Sequence, residues 1–175
     1  GGNNYSNTYF KIPETVTETI ELSTDDGYVP IGNDTNQFEG TFDGGNHTIN
    51  LNLTGERLVG LFGEGGENSN LCNIRTTGSV SMTGYYAGGI VANMYGNVVN
   101  CHNEASVTGY YHVGGIVGIS DNSKYIINCS NSGAIVGNMN VGGIVGNIST
   151  LKVINCLNTG TVQGSSCGGI AGYSG

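Results

Sequence analysis

The fold class that the sequence predicts is all-β: a right-handed parallel β-helix with three short strands in each coil of about 27 residues. Three observations predict it. A Gly-Gly phrase recurs as AGGIVA from Ala87, VGGIVG from Val113 and Val141, and CGGIAG from Cys167, with a looser VGLFG from Val59. Further columns keep the same phase: Ile74, Cys101, Cys129 and Cys156 stand at steps of 27, 28 and 27, and Val80, Val107, Ile135 and Val162 follow six residues later. Finally, the apolar runs are short, rich in Ile and Val, and broken by Gly, Asn and Ser, which suits strands and turns and leaves no room for helix. The block from Val113 offers three such pieces, GGIVG, YIINC and AIVG. Right-handedness is the general preference of parallel crossovers.

In a stack of this kind equivalent residues lie about 4.8 Å apart, so a column in the alignment becomes a ladder in space. Asn73, Asn100, Asn128 and Asn155 form one column, and their amides are suited to passing hydrogen bonds from coil to coil. The small residues Gly78, Ala105, Gly133 and Gly160 form another, and the 32 glycines of the chain are assigned to corners that need positive φ or close approach. Cys101, Cys129 and Cys156 share the column of Ile74, while Cys167 takes the place of Ala87, Val113 and Val141. Cysteine is therefore read as a small buried hydrophobe. Stacked neighbours come near disulfide separation, so a bridge within the column stays open. Cysteines a whole coil apart do not match the short cysteine pairs of zinc sites.

Residues 1–58 read as acidic N-terminal capping coils and 59–175 as the repeat solenoid, in one continuous domain. Residues 1–67 hold 11 acids against Lys11 and Arg57, whereas 68–175 hold Glu104 and Asp121 against Arg75, Lys124 and Lys152. Val29 to Leu53 alternates like strand, with Ile49, Leu51 and Leu53 on one face. Phe38 and Phe42 are placed to close the end of the core, since a solenoid needs an atypical terminal unit. With 37% hydrophobic and 10% charged residues the chain is too uncharged to be disordered. An acidic start and a nearly neutral remainder argue against nucleic acid, which needs clustered Lys and Arg. No apolar run approaches the length of a membrane span, so this segment is not expected to insert in a membrane, and its first residues lack a signal-peptide layout. The chain stops partway through a block, at GGIAGYSG. Neighbouring domains of the same chain, or a partner, are expected to cover that end.

The phrase VPIG…FEGTFDGGNHTINL, then VGLFG, then repeated GGIVG…INC.N.G.V.G over residues 28–175, resembles the GLUG-repeat proteins of bacterial surfaces. Members of that group include adhesin-like proteins and the non-catalytic regions of IgA-specific metallopeptidases. The resemblance implies an exported, extracellular or cell-surface bacterial protein with a β-helical repeat region. It brings no ligand and no catalytic residue.

Candidate sites are few. Of His47, His102 and His112, none is followed by the Glu of the His-Glu-x-x-His zinc signature in its proper frame, so that signature is missing; His47 reads as a turn residue and the others as loop decoration. Asp25, Asp26, Asp34 and Asp43, with Glu39, offer oxygen ligands for calcium but match no EF-hand loop, and a solvated acidic face is the commoner use of such residues. The same acids raise the alternative of a β-helical polysaccharide lyase or hydrolase, although Arg57 and Arg75 have no repeated acidic companions. Tyr85, Tyr86, Tyr110 and Tyr111 form two GYY pairs in successive blocks. Stacked on one edge, they suit contact with host glycan or extracellular protein, which would make a lectin-like module; the plainer alternative packs one tyrosine of each pair over the corner glycines. The N-x-S/T triplets at Asn4, Asn46, Asn52, Asn128 and Asn147 are expected by chance in so Asn-rich a chain. The expectation is a non-catalytic surface scaffold with no cofactor.

Overall fold

Each coil folds as it does because apolar side chains alternate inward while Asn and Gly fill the bends. In the computed structural model, which describes residues 7–120, 124–149 and 152–174, one coil runs through strands Tyr86–Gly88, Val91–Met94, Asn97–Val99, His102–Asn103 and Ser106–Thr108. The next coil repeats them at Tyr111–Gly114, Val117–Ser120, Tyr125–Ile127, Ser130–Asn131 and Ile135–Val136. Corresponding strands pair in parallel, and among the described residues they collect into four sheets wrapped around one core. Successive rungs keep the period of the sequence: Asn70, Asn97, Tyr125 and Lys152 are Cα partners in series.

The all-β parallel solenoid is thus as expected, with a finer division inside each coil. GGIVG is two strands, since the chain bends at Gly115-Ile116 between Tyr111–Gly114 and Val117–Ser120. The INC…AIVG stretch also yields two strands of one sheet, Ser130–Asn131 and Ile135–Val136. Five short strands on four sheets replace the three expected. At the Gly-Gly bend the second residue has to be glycine: a Cβ on Gly115 would run into the Gly143 carbonyl and the Asn131 amide.

Inside, the columns foreseen in the sequence are Cα partners. Val80, Val107, Ile135 and Val162 stack in order, and so do Ala87, Val113, Val141 and Cys167. Buried Leu71, Val98 and Ile126 form a third file. Burying a side chain of this size contributes roughly 1.5 to 3 kcal/mol, and each one touches equivalents above and below, so no coil is independent of its neighbours.

The first two rungs belong to the same stack but are less regular. Tyr9–Lys11 pairs with Thr41–Asp43, which pairs with Asn70–Cys72; Ile20–Ser23 pairs with Thr48–Gly55, which pairs with Arg75–Met82. Phe38 is buried and its ring lies 6.0 Å from Phe10 and 5.2 Å from Phe62, while Phe42 meets Phe62 edge-on at 5.3 Å. These rings fill the first coils, and an apolar hollow of about 280 Å3 remains between Phe10, Ile31, Phe38 and Phe42.

Candidate functional site

Positive φ falls on asparagine more than on glycine. Asn73, Asn100, Asn128 and Asn155 have φ of 53, 54, 54 and 50°, whereas among the described residues only Gly27, Gly32, Gly45 and Gly78 are left-handed glycines. Asparagine tolerates this region because its short amide hydrogen-bonds locally. Asn100 donates to Asn73 Oδ1 at 3.5 Å and Asn128 donates to Asn100 Oδ1 at 3.1 Å. Asp43 heads the file: Asn73 Nδ2 at 2.9 Å and the Tyr9 hydroxyl at 2.7 Å both donate to its carboxylate, as does the Gly45 amide at 2.9 Å. The Asn73 bond first, then those of Tyr9 and Gly45, hold the Asp43 carboxyl below its usual range.

A second amide ladder faces inward, where the hydropathy of the sequence gives no hint of it. Thr76 donates to Asn103 Oδ1 at 2.8 Å, Asn103 to Asn131 Oδ1 at 2.7 Å, and Asn131 to Asn158 Oδ1 at 2.8 Å. The same amides bond the backbone of the bend two residues on, at Ala105, Gly133 and Gly160. The signal is the second Asn of the INC.N.G phrase, at steps of 28 and 27. A polar residue on a short strand reads as outward by default, and here it is satisfied inside.

The cysteine file is continuous. The Cys101 amide donates to Cys129 Sγ at 3.5 Å, and all five cysteines are free thiols. The hydrogen bond with the Cys101 thiol, with burial adding to it and Cys156 opposing, pushes Cys129 up to about 12. The Cys156 thiol is raised by its bond to Cys129 and by burial. Cys129 and Cys156 stay protonated. Cys101 and Cys129 are buried as small apolar filling and Cys156 is half-buried, whereas Cys167, read from its column as buried, is exposed on the last rung, with no further rung described above it.

The tyrosines are brought together on one corner, though not in the pairing the GYY phrases suggest. The step from Ala87 to Val113 is shorter than the one from Val113 to Val141, and Tyr86 lies opposite His112 and Tyr85 opposite Tyr111. The Tyr85 and Tyr111 rings stack at 6.0 Å and 15°, Tyr110 meets Tyr111 at 4.6 Å and 84°, and Tyr86 meets His112 at 5.3 Å. Tyr85 is 57% exposed and Tyr110 47%, with Tyr86 and Tyr111 half-buried. On the next rung exposed Met139 is the Cα partner of Tyr111, so the apolar ridge runs over three rungs. A shallow groove of about 300 Å3 is lined by Thr83, Gly84, Tyr85, Tyr110 and Tyr111.

The acids named as calcium ligands are spread out. Asp25 and Asp26 sit in the exposed turn after Ile20–Ser23, Asp34 is paired with Arg57 at 2.8 Å, and Asp43 is committed to the asparagine file. Among the described residues no three His, Cys, Asp or Glu side chains gather to hold a metal ion. Glu39 accepts from the Asn68 amide at 3.0 Å.

His102 and His112 are strand residues, not loop decoration, because the coil has no long loops at those points. His102 Nδ1 lies 2.7 Å from Ser130 Oγ, and its Nε2 lies 3.3 Å from the Glu104 oxygen that also takes Arg75 at 3.3 Å. The order serine, histidine, acid is that of a hydrolase triad. Here Arg75 shares the carboxylate, the imidazole turns Nδ1 rather than Nε2 to the serine, and His102 and Glu104 share one rung between those of Arg75 and Ser130. His47 follows the Gly45-Asn46 turn, as read from the sequence.

The fold and its ladders define a parallel β-solenoid repeat protein. Over 112 residues the chain is 39% identical to part of halomucin from Haloquadratum walsbyi; the match takes in 59% of this chain and 1% of that protein. The chain therefore spans about one hundredth of the length of that curated relative. No protein-family model matches the chain, and no solved structure does. Among the described residues no helix is long and apolar enough to cross a membrane.

Proposed function

We propose that this chain is a non-catalytic β-solenoid scaffold of a bacterial cell-surface or secreted protein, adhesin-like in use, whose edge contacts host glycan or extracellular protein. The observation that carries the reading is the unbroken stack. Six parallel rungs run from Tyr9–Lys11 to Lys152–Ile154 in one sheet, giving a rod of about 25 to 30 Å at the strand spacing. Such a rod suits spacing and display. The GLUG-like phrase supports the surface assignment, and the likeness to a stretch of halomucin is compatible with it. The dispersed acids and the Arg75-shared Glu104 favour a role without turnover over a lyase or hydrolase.

Protease shaving of intact producing cells tests the reading. Peptides of this chain should be released from unbroken cells or found in the medium, and the purified chain should leave a panel of plant and host polysaccharides uncut. Recovery only from lysed cells, or new reducing or unsaturated sugar ends, would overturn it.

A further inference from the structure

The tyrosine corner carries an inference that rests on the surface-scaffold reading and deepens it. We propose that the groove formed by Thr83, Gly84, Tyr85, Tyr110 and Tyr111 is a binding site for a neutral saccharide, one or two pyranose units of a longer glycan.

Four observations converge on that ligand. First, the groove offers ring faces that are open. Tyr85 is backed by Tyr111 in a near-parallel stack and flanked by Tyr86 at 6.2 Å, which hold it in place while it stays exposed, and exposed Tyr110 stands at 84° to Tyr111, making a second wall. A flat ring fixed by its neighbour is what the C–H face of a pyranose packs against, with little side-chain freedom lost on binding.

Second, the hydroxyls of Tyr85, Tyr110 and Tyr111 make no hydrogen bond with the described residues. They stand at the rim of apolar rings, in the amphipathic arrangement that a sugar presents in return: C–H on its faces, hydroxyl on its edge. Third, none of the groove-lining residues is an acid or a base. The adjacent rung places Arg57 next to Tyr85 in the stack, and that guanidinium is neutralised by Asp34 at 2.8 Å. Glu56 lies beside Gly84 on the rung of Arg57 but does not line the groove, so the lining itself gives an ionic ligand no counter-charge, whereas a neutral one needs none. Fourth, at about 300 Å3 the groove is at the small end of ligand sites, which fits one or two sugar rings better than a folded protein surface.

The ridge also has a direction. It runs from Tyr85 through Tyr111 to Met139 along the stacking axis, so a chain of sugars lying across the rungs would continue onto Met139. Beyond it, Asn138 accepts from Ser165 at 2.9 Å, and the surface is polar.

The test is native electrophoresis of the whole chain through gels containing a neutral β-glucan, a glucomannan or dextran, with chondroitin sulfate as the anionic comparison and a proline-rich peptide tested in solution by NMR. The expected result is retardation by at least one neutral polysaccharide, lost by tenfold or more in apparent affinity in Tyr85→Ala and in Tyr110→Ala. Tyr110→Phe should keep most of the stacking. Tyr173→Ala, an exposed tyrosine far along the chain, should bind as the parent does. Circular dichroism of every variant confirms folding, which these exposed positions allow. The proposal is overturned if no neutral polysaccharide retards the folded chain, if Tyr85→Ala and Tyr110→Ala bind like the parent, or if only the anionic polymer or the peptide binds. Cell shaving reads the scaffold assignment separately, so a folded surface protein that ignores every neutral glycan would sink this inference alone.

Discussion

The first two coils and the later four solve the same stacking problem by different means. In one sheet the partners Tyr9, Thr41 and Asn70 follow at long and unequal steps, whereas Asn70, Asn97, Tyr125 and Lys152 follow at shorter steps that are nearly equal. The irregular part carries most of the acids and fills its core with Phe10, Phe38 and Phe42, which pack towards Phe62 of the third coil. The regular part uses no phenylalanine after Phe62 and relies on files of Asn, Cys, Val and Ile. Large rings fill space whatever the exact register, so they tolerate unequal coils. Amide ladders demand equal coils, because each side chain must meet its own kind.

Breaking either device tests how far the two parts hold together. The largest effect belongs to Phe62→Ala, which empties a fully buried site touching Phe38 and Phe42; it should cost about 3 to 5 kcal/mol. Asn131→Ala removes the centre of the inner ladder and leaves the Asn103 and Asn158 amides short of a partner, at about 2 to 3 kcal/mol. Urea unfolding followed by far-ultraviolet dichroism and by tyrosine fluorescence should give one coincident transition for both variants. Two separated transitions would mean that the aromatic coils and the ladder coils melt as distinct units.

Asn100→Ala should cost about 1 to 2 kcal/mol through the left-handed backbone, and Asn100→Gly clearly less, since glycine takes that φ freely. Equal losses would show that the hydrogen bond, not the backbone, matters most there. The smallest effect is acid sensitivity at the head of the outer file. The folded-state value of Asp43 lies below its unfolded value. Its contribution is therefore complete above the unfolded carboxyl range near pH 4 and is lost as pH falls through the lower folded value. The urea midpoint of the parent should drop on acidification below about pH 4 more steeply than that of Asp43→Asn.

Much of this was legible because repetition makes side-chain partners visible in text. The Cys101 to Cys156 file and the Val80 to Val162 file needed only the period. What escaped had a physical cause in each case. At the Gly-Gly corners a side chain would meet the neighbouring rung, a crowding that no single block displays. Asn103 and Asn131 are polar yet buried, and Asn158 is half-buried, whereas hydropathy alone places all three outside. The tyrosine ridge is visible in the text, but its pairing is shifted by the one shorter step between Ala87 and Val113. Met139 and His112 complete that corner, and only the stacking of the rungs brings them there.

The outer asparagine file has a consequence for how such a molecule can change size. An amide offers a donor on one side and an acceptor on the other, so a copied coil set between Asn100 and Asn128 would find both of its neighbours already suited to it. A column of carboxylates would repel itself, and a column of glycines would make no side-chain link at all. Asparagine at a left-handed bend is self-complementary, which makes whole-repeat duplication a gentle way to lengthen the rod while either end stays as it was.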